Sequence, residues 1–205
     1  MKWNEVLDEV FSSRLKMRII RILDDAPAPM TGLRIARKAG YSHTQTYRAL
    51  ADLENLGVIS KTYAGASRLY SLNRSNYIVE EVLQIALQAE RGMLGALASR
   101  FYDRLGSDLV SITLYGSVAR HDDEPGSDLD LILTVRDGSD VDSLEDLAAE
   151  VSLDAALEFG GPVSAMVVEE SRYRDRLAEG KAMWADVARE GIQIPRATVG
   201  ERKVG

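Results

Sequence analysis

The chain contains no cysteine, which excludes disulfides and thiolate-bound metal centres. It has only two histidines, His43 and His121, far apart in the sequence, so a zinc site is not expected and any metal must be held by oxygen ligands. Aromatic residues make up only 6% of the chain. No apolar run approaches the roughly 18 residues that suggest a membrane-spanning helix. The opening MKWNEVLDEV lacks a basic stretch followed by an apolar block, so no signal peptide is expected and the protein is assigned to the cytoplasm, away from membranes. At 205 residues and 45% hydrophobic content, there is enough apolar material for the core of one domain or two.

Negative charge is scarce at the front and abundant behind. Residues 1–75 carry 12 Lys and Arg against 7 Asp and Glu, net +5, whereas residues 76–205 carry 13 against 25, net −12. Attraction to phosphate is screened over about 8 Å at physiological salt, so a basic front can bind nucleic acid even on a chain whose total charge is −7.

The most informative segment is YGSVARHDDEPGSDLDLILT, residues 115–134. An apolar run at 109–115 reads as a strand and ends at Gly116 and Ser117, whose backbone N–H groups can approach phosphate. Ten residues later, Asp128 and Asp130 alternate with Leu129, Leu131 and Leu133, so a strand over 128–135 would turn both carboxylates to one face. Two hard oxygen ligands beside a phosphate-binding turn suit Mg2+, which is commonly held by one or two carboxylates together with substrate phosphates.

In the front segment, Leu15, Ile19, Ile20 and Leu23 recur at helical spacing over 13–23, and the pattern stops at Asp24, Asp25 and APAP. Thr31 can cap a second helix carrying Leu33, Ile35 and Ala36 and ending at Gly40. Ser42 can cap a third, with Tyr47, Leu50, Leu53 and Leu56 on its core side and Gly57 as its stop. Strands at 58–63 and 68–72 then form a hairpin. A polar break at 73–76 precedes residues 78–105, proline-free and apolar at Val79, Leu83, Leu87, Leu94, Leu97, Phe101 and Leu105, which read as one long helix. Its seam can pack on its own domain or on a twofold partner, and a homodimer is expected. Gly92 and Gly95 within it suit a bend or a close helix contact. Behind it come helix 143–159, strand 162–168 and helical segments over 172–190, with Met183, Trp184 and Val187 as core.

Two resemblances follow from these residues. Helix, helix-turn-helix and basic hairpin, with the phrase TYRALADLENLGVISK, resemble winged helix-turn-helix regulators. That resemblance implies double-stranded DNA as partner. Ser42, His43, Thr44, Gln45 and Arg48 would face bases or phosphates in the major groove, with Gln45 and Arg48 capable of bidentate base contacts. Lys61 and Arg68 on the wing, with Arg34, Arg37 and Lys38, would face phosphates.

Gly116, Ser117, a ten-residue spacer and Asp128-Leu129-Asp130, with Arg120 and Ser127 beside them, resemble the polymerase-beta-type, minimal nucleotidyltransferases. This resemblance covers roughly residues 106–195. It implies Asp128 and Asp130 as catalytic metal ligands, two Mg2+ ions in an active enzyme, and a nucleoside triphosphate bound by Gly116, Ser117, Arg120 and Ser127. The family's third carboxylate falls at Ser164 in GPVSAMVVEE. Three alternatives stay open: Glu169 or Glu170 replaces it, two carboxylates suffice, or the domain binds nucleotide without turnover.

The expected architecture is therefore a two-domain α+β and α/β chain. A winged helix-turn-helix over 1–74 and a connector helix over 75–105 precede a nucleotidyltransferase-like domain over 106–205 with a small mixed sheet flanked by helices. Two functions are compatible with it. One is transfer of a nucleoside monophosphate to a hydroxyl of a protein or small molecule, as in antitoxins that modify a HEPN toxin and regulate their own expression. The other is a transcriptional regulator whose nucleotidyltransferase domain is degenerate and senses nucleotide.

Overall fold

The computed structural model describes residues 4–196 and divides into two compact units, Met1–Arg91 and Gly92–Gly205. In the first, α1 (Val6–Phe11) precedes α2 (Arg14–Asp24), α3 (Gly32–Ala39) and α4 (His43–Asn55). The short α1 has no counterpart in the sequence reading, because six residues carry too little periodicity to register. Leu15, Ile19, Ile20 and Leu23 of α2 are all buried, as their spacing requires. Lys16 is buried beside them. Its Nζ donates to the Glu9 carbonyl at 3.0 Å and lies 3.4 Å from the Asp52 carboxylate, joining α1, α2 and α4.

The caps read from the sequence are present. Thr31 Oγ1 accepts from the Arg34 N–H, α3 ends at Gly40 in the left-handed region (φ 71°), and Ser42 caps α4. Two side chains depart from expectation. Leu33 is 49% exposed, because Ile35, Ala36 and Ala39 fill the buried side of α3. Tyr47 is half-buried rather than core, since its ring lies across Gly32, where an added Cβ would come within 2.6 Å of it.

The hairpin pairs β2 (Ile59–Ala64) with β3 (Ser67–Leu72). An additional two-residue strand, β1 (Met30–Thr31), pairs with β3 to give sheet order β1-β3-β2. After the polar break, Asn76 Oδ1 accepts from the N–H groups of Ile78 and Val79 and starts a π-helical turn over Val79–Leu83. That turn runs directly into α5 (Gln84–Leu105), so the expected helix over 78–105 forms but with a wider first turn. An added Cβ on Gly92 would meet no atom within 4 Å, so this glycine does not serve a close helix contact.

The second unit is built on a mixed four-stranded sheet ordered β6-β5-β4-β7. β4 (Leu109–Tyr115) runs antiparallel to β5 (Leu129–Val135) and to the two-residue β7 (Ile192–Gln193), while β5 and β6 (Val163–Glu169) are parallel. The parallel pair is joined by α7 (Val141–Phe159), capped by Asp140, whose carboxylate accepts from the Ser143 N–H. Strand alternation divides the apolar side chains between two cores. Leu131, Leu133 and Val135 pack with Phe101, Leu144 and Val151, whereas Ile132 packs with Val168, Trp184 and Val187. The second core is covered by α8 (Glu170–Glu179) and α9 (Met183–Glu190), separated at the left-handed Gly180. Trp184 and Val187 are buried as expected, and Met183 is half-buried against them.

Candidate functional site

The acidic site lies at one end of this sheet. Tyr115 of β4, Asp130 of β5 and Ser164 of β6 sit side by side in register across three strands. β5 begins at Leu129, so Asp128 occupies the residue before the strand and is exposed, a correction to the expected strand over 128–135. Asp130 is half-buried, and its carboxylate lies directly over Gly116. Gly116 has φ 77°, and an added Cβ would stand 2.3 Å from Asp130 Oδ2. Position 116 therefore admits glycine alone on two independent grounds, backbone conformation and space. Gly116 also starts the short helix α6 (Gly116–Arg120), whose first N–H groups lack intrahelical partners.

Burial is the main reason that the Asp130 carboxyl is pushed above the ordinary aspartate range; the nearby Asp128 charge adds to this and Arg120 opposes it. Tyr115 is raised in turn, first by burial and then by the Asp130 charge. Arg120 is held by two acids: its Nε donates to Asp122 Oδ2 at 3.1 Å, and its guanidinium lies 3.6 Å from Glu190 Oε2. Glu190, at the end of α9, is a site neighbour that sequence reading missed, because nothing local links it to a segment seventy residues earlier. The Ser127 hydroxyl accepts from the Glu124 N–H at 2.9 Å, so it closes the loop between α6 and β5.

The α4 N-terminus carries the other candidate surface. Ser42 Oγ accepts from the Gln45 N–H while Gln45 Oε1 accepts from the Ser42 N–H at 3.4 Å, forming a capping box, and Gln45 Oε1 also accepts from the Ser42 hydroxyl at 2.8 Å. The Gln45 carbonyl is thus committed to the cap. Bidentate reading of adenine requires that oxygen together with the NH2 group, so the expected bidentate role for Gln45 is not available while the cap is intact. His43 packs on Tyr47 with ring centroids 4.2 Å apart and planes tilted by 42°, and the two line a cleft of about 420 Å3 with Thr31, Leu33, Ala66, Ser67 and Arg68. Thr44, Arg48 and Arg68 are exposed, and Arg48 and Arg68 form no ion pair among the described residues. Exposed Arg34, Arg37 and Lys38 stand on α3. Lys61 differs, because Glu54 holds its Nζ at 2.6 Å.

Comparison with known proteins bears on both sites. Residues 17–62 match the IclR helix-turn-helix domain, and residues 95–178 match the nucleotidyltransferase domain. The chain joins a DNA-binding helix-turn-helix to a nucleotidyltransferase domain. Among solved structures, a toxin–antitoxin with AMP-PNP is similar at 16% identity and TM-score 0.36, covering 50% of this chain and 73% of that one. TrmBL2, an archaeal chromatin protein described as showing a novel mode of DNA binding, is similar at 20% identity and TM-score 0.29, covering 91% of this chain and 76% of that one. No curated protein matches.

Within the nucleotidyltransferase domain, the register decides among the alternatives for a third carboxylate. Ser164, exposed, stands beside Asp130, while Glu169 pairs with Val135 five residues further along. At about 3.3 Å per residue that is about 16 Å from the acidic pair. Glu169 Oε1 accepts from the Gly138 N–H at 2.9 Å, and Glu170 begins α8 beyond it. Neither can complete the site. Among the described residues no three acids or histidines gather where they could hold a metal. The residues present thus offer two carboxylates, Asp128 and Asp130, as hard oxygen donors of the kind that suit a divalent cation shared with phosphates, with no third carboxylate beside them among the described residues. Among the described residues no helix is long and apolar enough to cross a membrane.

Proposed function

We propose that the protein is a DNA-binding regulator whose nucleotidyltransferase domain binds a nucleoside triphosphate with one Mg2+ and relays its occupancy to the helix-turn-helix. The observation that carries this reading is the pairing of Asp130 with Ser164, which leaves two carboxylates where the nucleotidyltransferases that this segment resembles use three. A bound cation would neutralise the repulsion between Asp128 and Asp130 and draw in phosphate. Gly116 leaves room for the Asp130 carboxylate, and the N–H groups that open α6 without intrahelical partners would serve the phosphates as donors. Arg120, already poised between Asp122 and Glu190, supplies positive charge near the pair. In the DNA-binding domain, Arg48 and Thr44 are the base readers, and Arg34, Arg37, Lys38 and Arg68 contact phosphates.

A second reading is favoured by the close fit of Gly116 to Asp130, a geometry that also suits transfer. In it, the domain moves a nucleoside monophosphate to a hydroxyl of a protein or small molecule, as an antitoxin does to a HEPN toxin. Incubation of the full chain with radiolabelled ATP, GTP, CTP or UTP and Mg2+, alone and with the product of the neighbouring gene, separates the two. Retained nucleotide without covalent label, lost in Asp128→Ala/Asp130→Ala, supports the sensor; label transfer that this double variant abolishes supports the enzyme. No nucleotide retention by the unmodified chain would sink both.

A further inference from the structure

Outside the two sites, the strongest concentration of uncommitted positive charge is a groove in the first unit. It encloses about 510 Å3 and is lined by Phe11, Ser13, Arg14, Met17, Arg18, Arg21 and Tyr41. Arg14, Arg18 and Arg21 follow one another at i, i+4 and i+7 along α2 and so form a single ridge. Their availability differs. Arg21 donates both Nε and Nη2 to the Glu90 carboxylate, at 2.9 and 2.7 Å, so its charge is already answered. Arg14 and Arg18 are exposed and make no hydrogen bond or ion pair among the described residues. Tyr41, at the far wall, directly precedes Ser42, the cap of α4. The groove therefore opens beside the very end of α4 that enters the major groove in helix-turn-helix docking.

We propose that Arg14 and Arg18 form a second phosphate-binding ridge, engaging the DNA backbone outside the stretch read by α4 and the hairpin. The proposal rests on the DNA-binding reading of the same domain and extends its footprint. Two exposed arginines on one helix face, flanked in the groove by exposed Phe11 and half-buried Tyr41, present a broad cationic wall, which suits a run of backbone phosphates better than one buried anion. Because phosphate contacts carry no base information, the ridge raises affinity and its salt dependence without altering the preferred sequence.

The test uses the full chain and a fluorescent 30-base-pair duplex selected by it from a random pool. Binding is measured across a series of NaCl concentrations, and hydroxyl-radical footprints are recorded. In Arg14→Ala/Arg18→Ala the slope of log affinity against log salt is expected to become shallower by about 1.8, for two phosphate contacts rather than three. Protection should be lost only at the outer edge of the footprint, and a repeated selection should return the same sequence. Arg14→Lys/Arg18→Lys should restore most of the slope, which guards against a folding defect in the alanine variant. An unchanged slope and footprint in the alanine variant overturns the ridge while leaving the DNA reading intact. Absence of salt-dependent binding by the unmodified chain overturns both.

Discussion

At the scale of single residues, the contact between Gly116 and Asp130 fixes the chemistry of the acidic site. Gly116→Ala must either rotate a φ of 77° or displace a carboxylate 2.3 Å from the new methyl group. The left-handed conformation alone costs about 1–2 kcal/mol for a residue with a Cβ. We expect a lowered melting temperature together with at least tenfold weaker Mg-nucleotide binding by calorimetry; unchanged nucleotide affinity would show that the carboxylate is not held against residue 116. The raised Asp130 carboxyl has a second consequence. A group whose folded-state pKa lies above its unfolded value stabilises the native state at pH below the unfolded value, and that contribution is lost as pH rises through the folded value. At neutral pH and without divalent cation, the ionised Asp130 therefore opposes folding, and Asp130→Asn should melt at a higher temperature than the unmodified chain. The difference should shrink as pH is lowered through the raised carboxyl value, and Mg-nucleotide should no longer stabilise the variant. A lower melting temperature for Asp130→Asn at pH 7 would contradict this account.

At the scale of elements, the start of α4 combines a structural cap with a reading surface, and the two roles fall on different residues. Ser42 and Gln45 close the capping box, so Ser42→Ala or Gln45→Ala should cost about 1 kcal/mol of stability without changing the sequence that a selection returns. Arg48→Ala should leave the melting temperature almost unchanged and weaken discrimination at one position by about 1–3 kcal/mol. The reverse pattern would return base reading to Gln45. The cap itself was legible in the sequence because it is local: Ser42 and Gln45 lie three residues apart and stop signals bracket the helix. Its effect on Gln45 was not legible, since the same side chain suits a cap and a base. The GS turn and the acidic pair were readable for the same reason of local spacing, whereas Ser164 was singled out only through the family resemblance and its place next to Asp130 comes from the pairing of β5 with β6. β1 and β7 were invisible because two residues have no periodicity, and Glu190 beside Arg120 depends on how α9 folds back over the sheet.

At the scale of the whole molecule, regulation requires that nucleotide and DNA influence one another through the protein, and α5 is the element whose chain belongs to both units. Val79, Leu83 and Leu87 along this segment are buried in the first core, while Leu97, Phe101 and Leu105 are buried in the second. Gly92 marks the boundary and has open space around it. If continuity of this helix carries the signal, Mg-nucleotide should shift DNA affinity by 5- to 150-fold, the span of a coupling of about 1–3 kcal/mol, and DNA must shift nucleotide affinity by the same factor. Gly92→Pro removes a helical hydrogen bond and clashes with the preceding turn, at a cost of about 3 kcal/mol to the uninterrupted helix, while leaving both sites untouched. Calorimetry on the variant should then show each ligand bound with its solitary affinity and the coupling factor reduced toward one. A coupling factor that survives this break would place the communication elsewhere than along α5, and equal affinities with and without the second ligand in the unmodified chain would remove nucleotide sensing as the reason for joining these two domains.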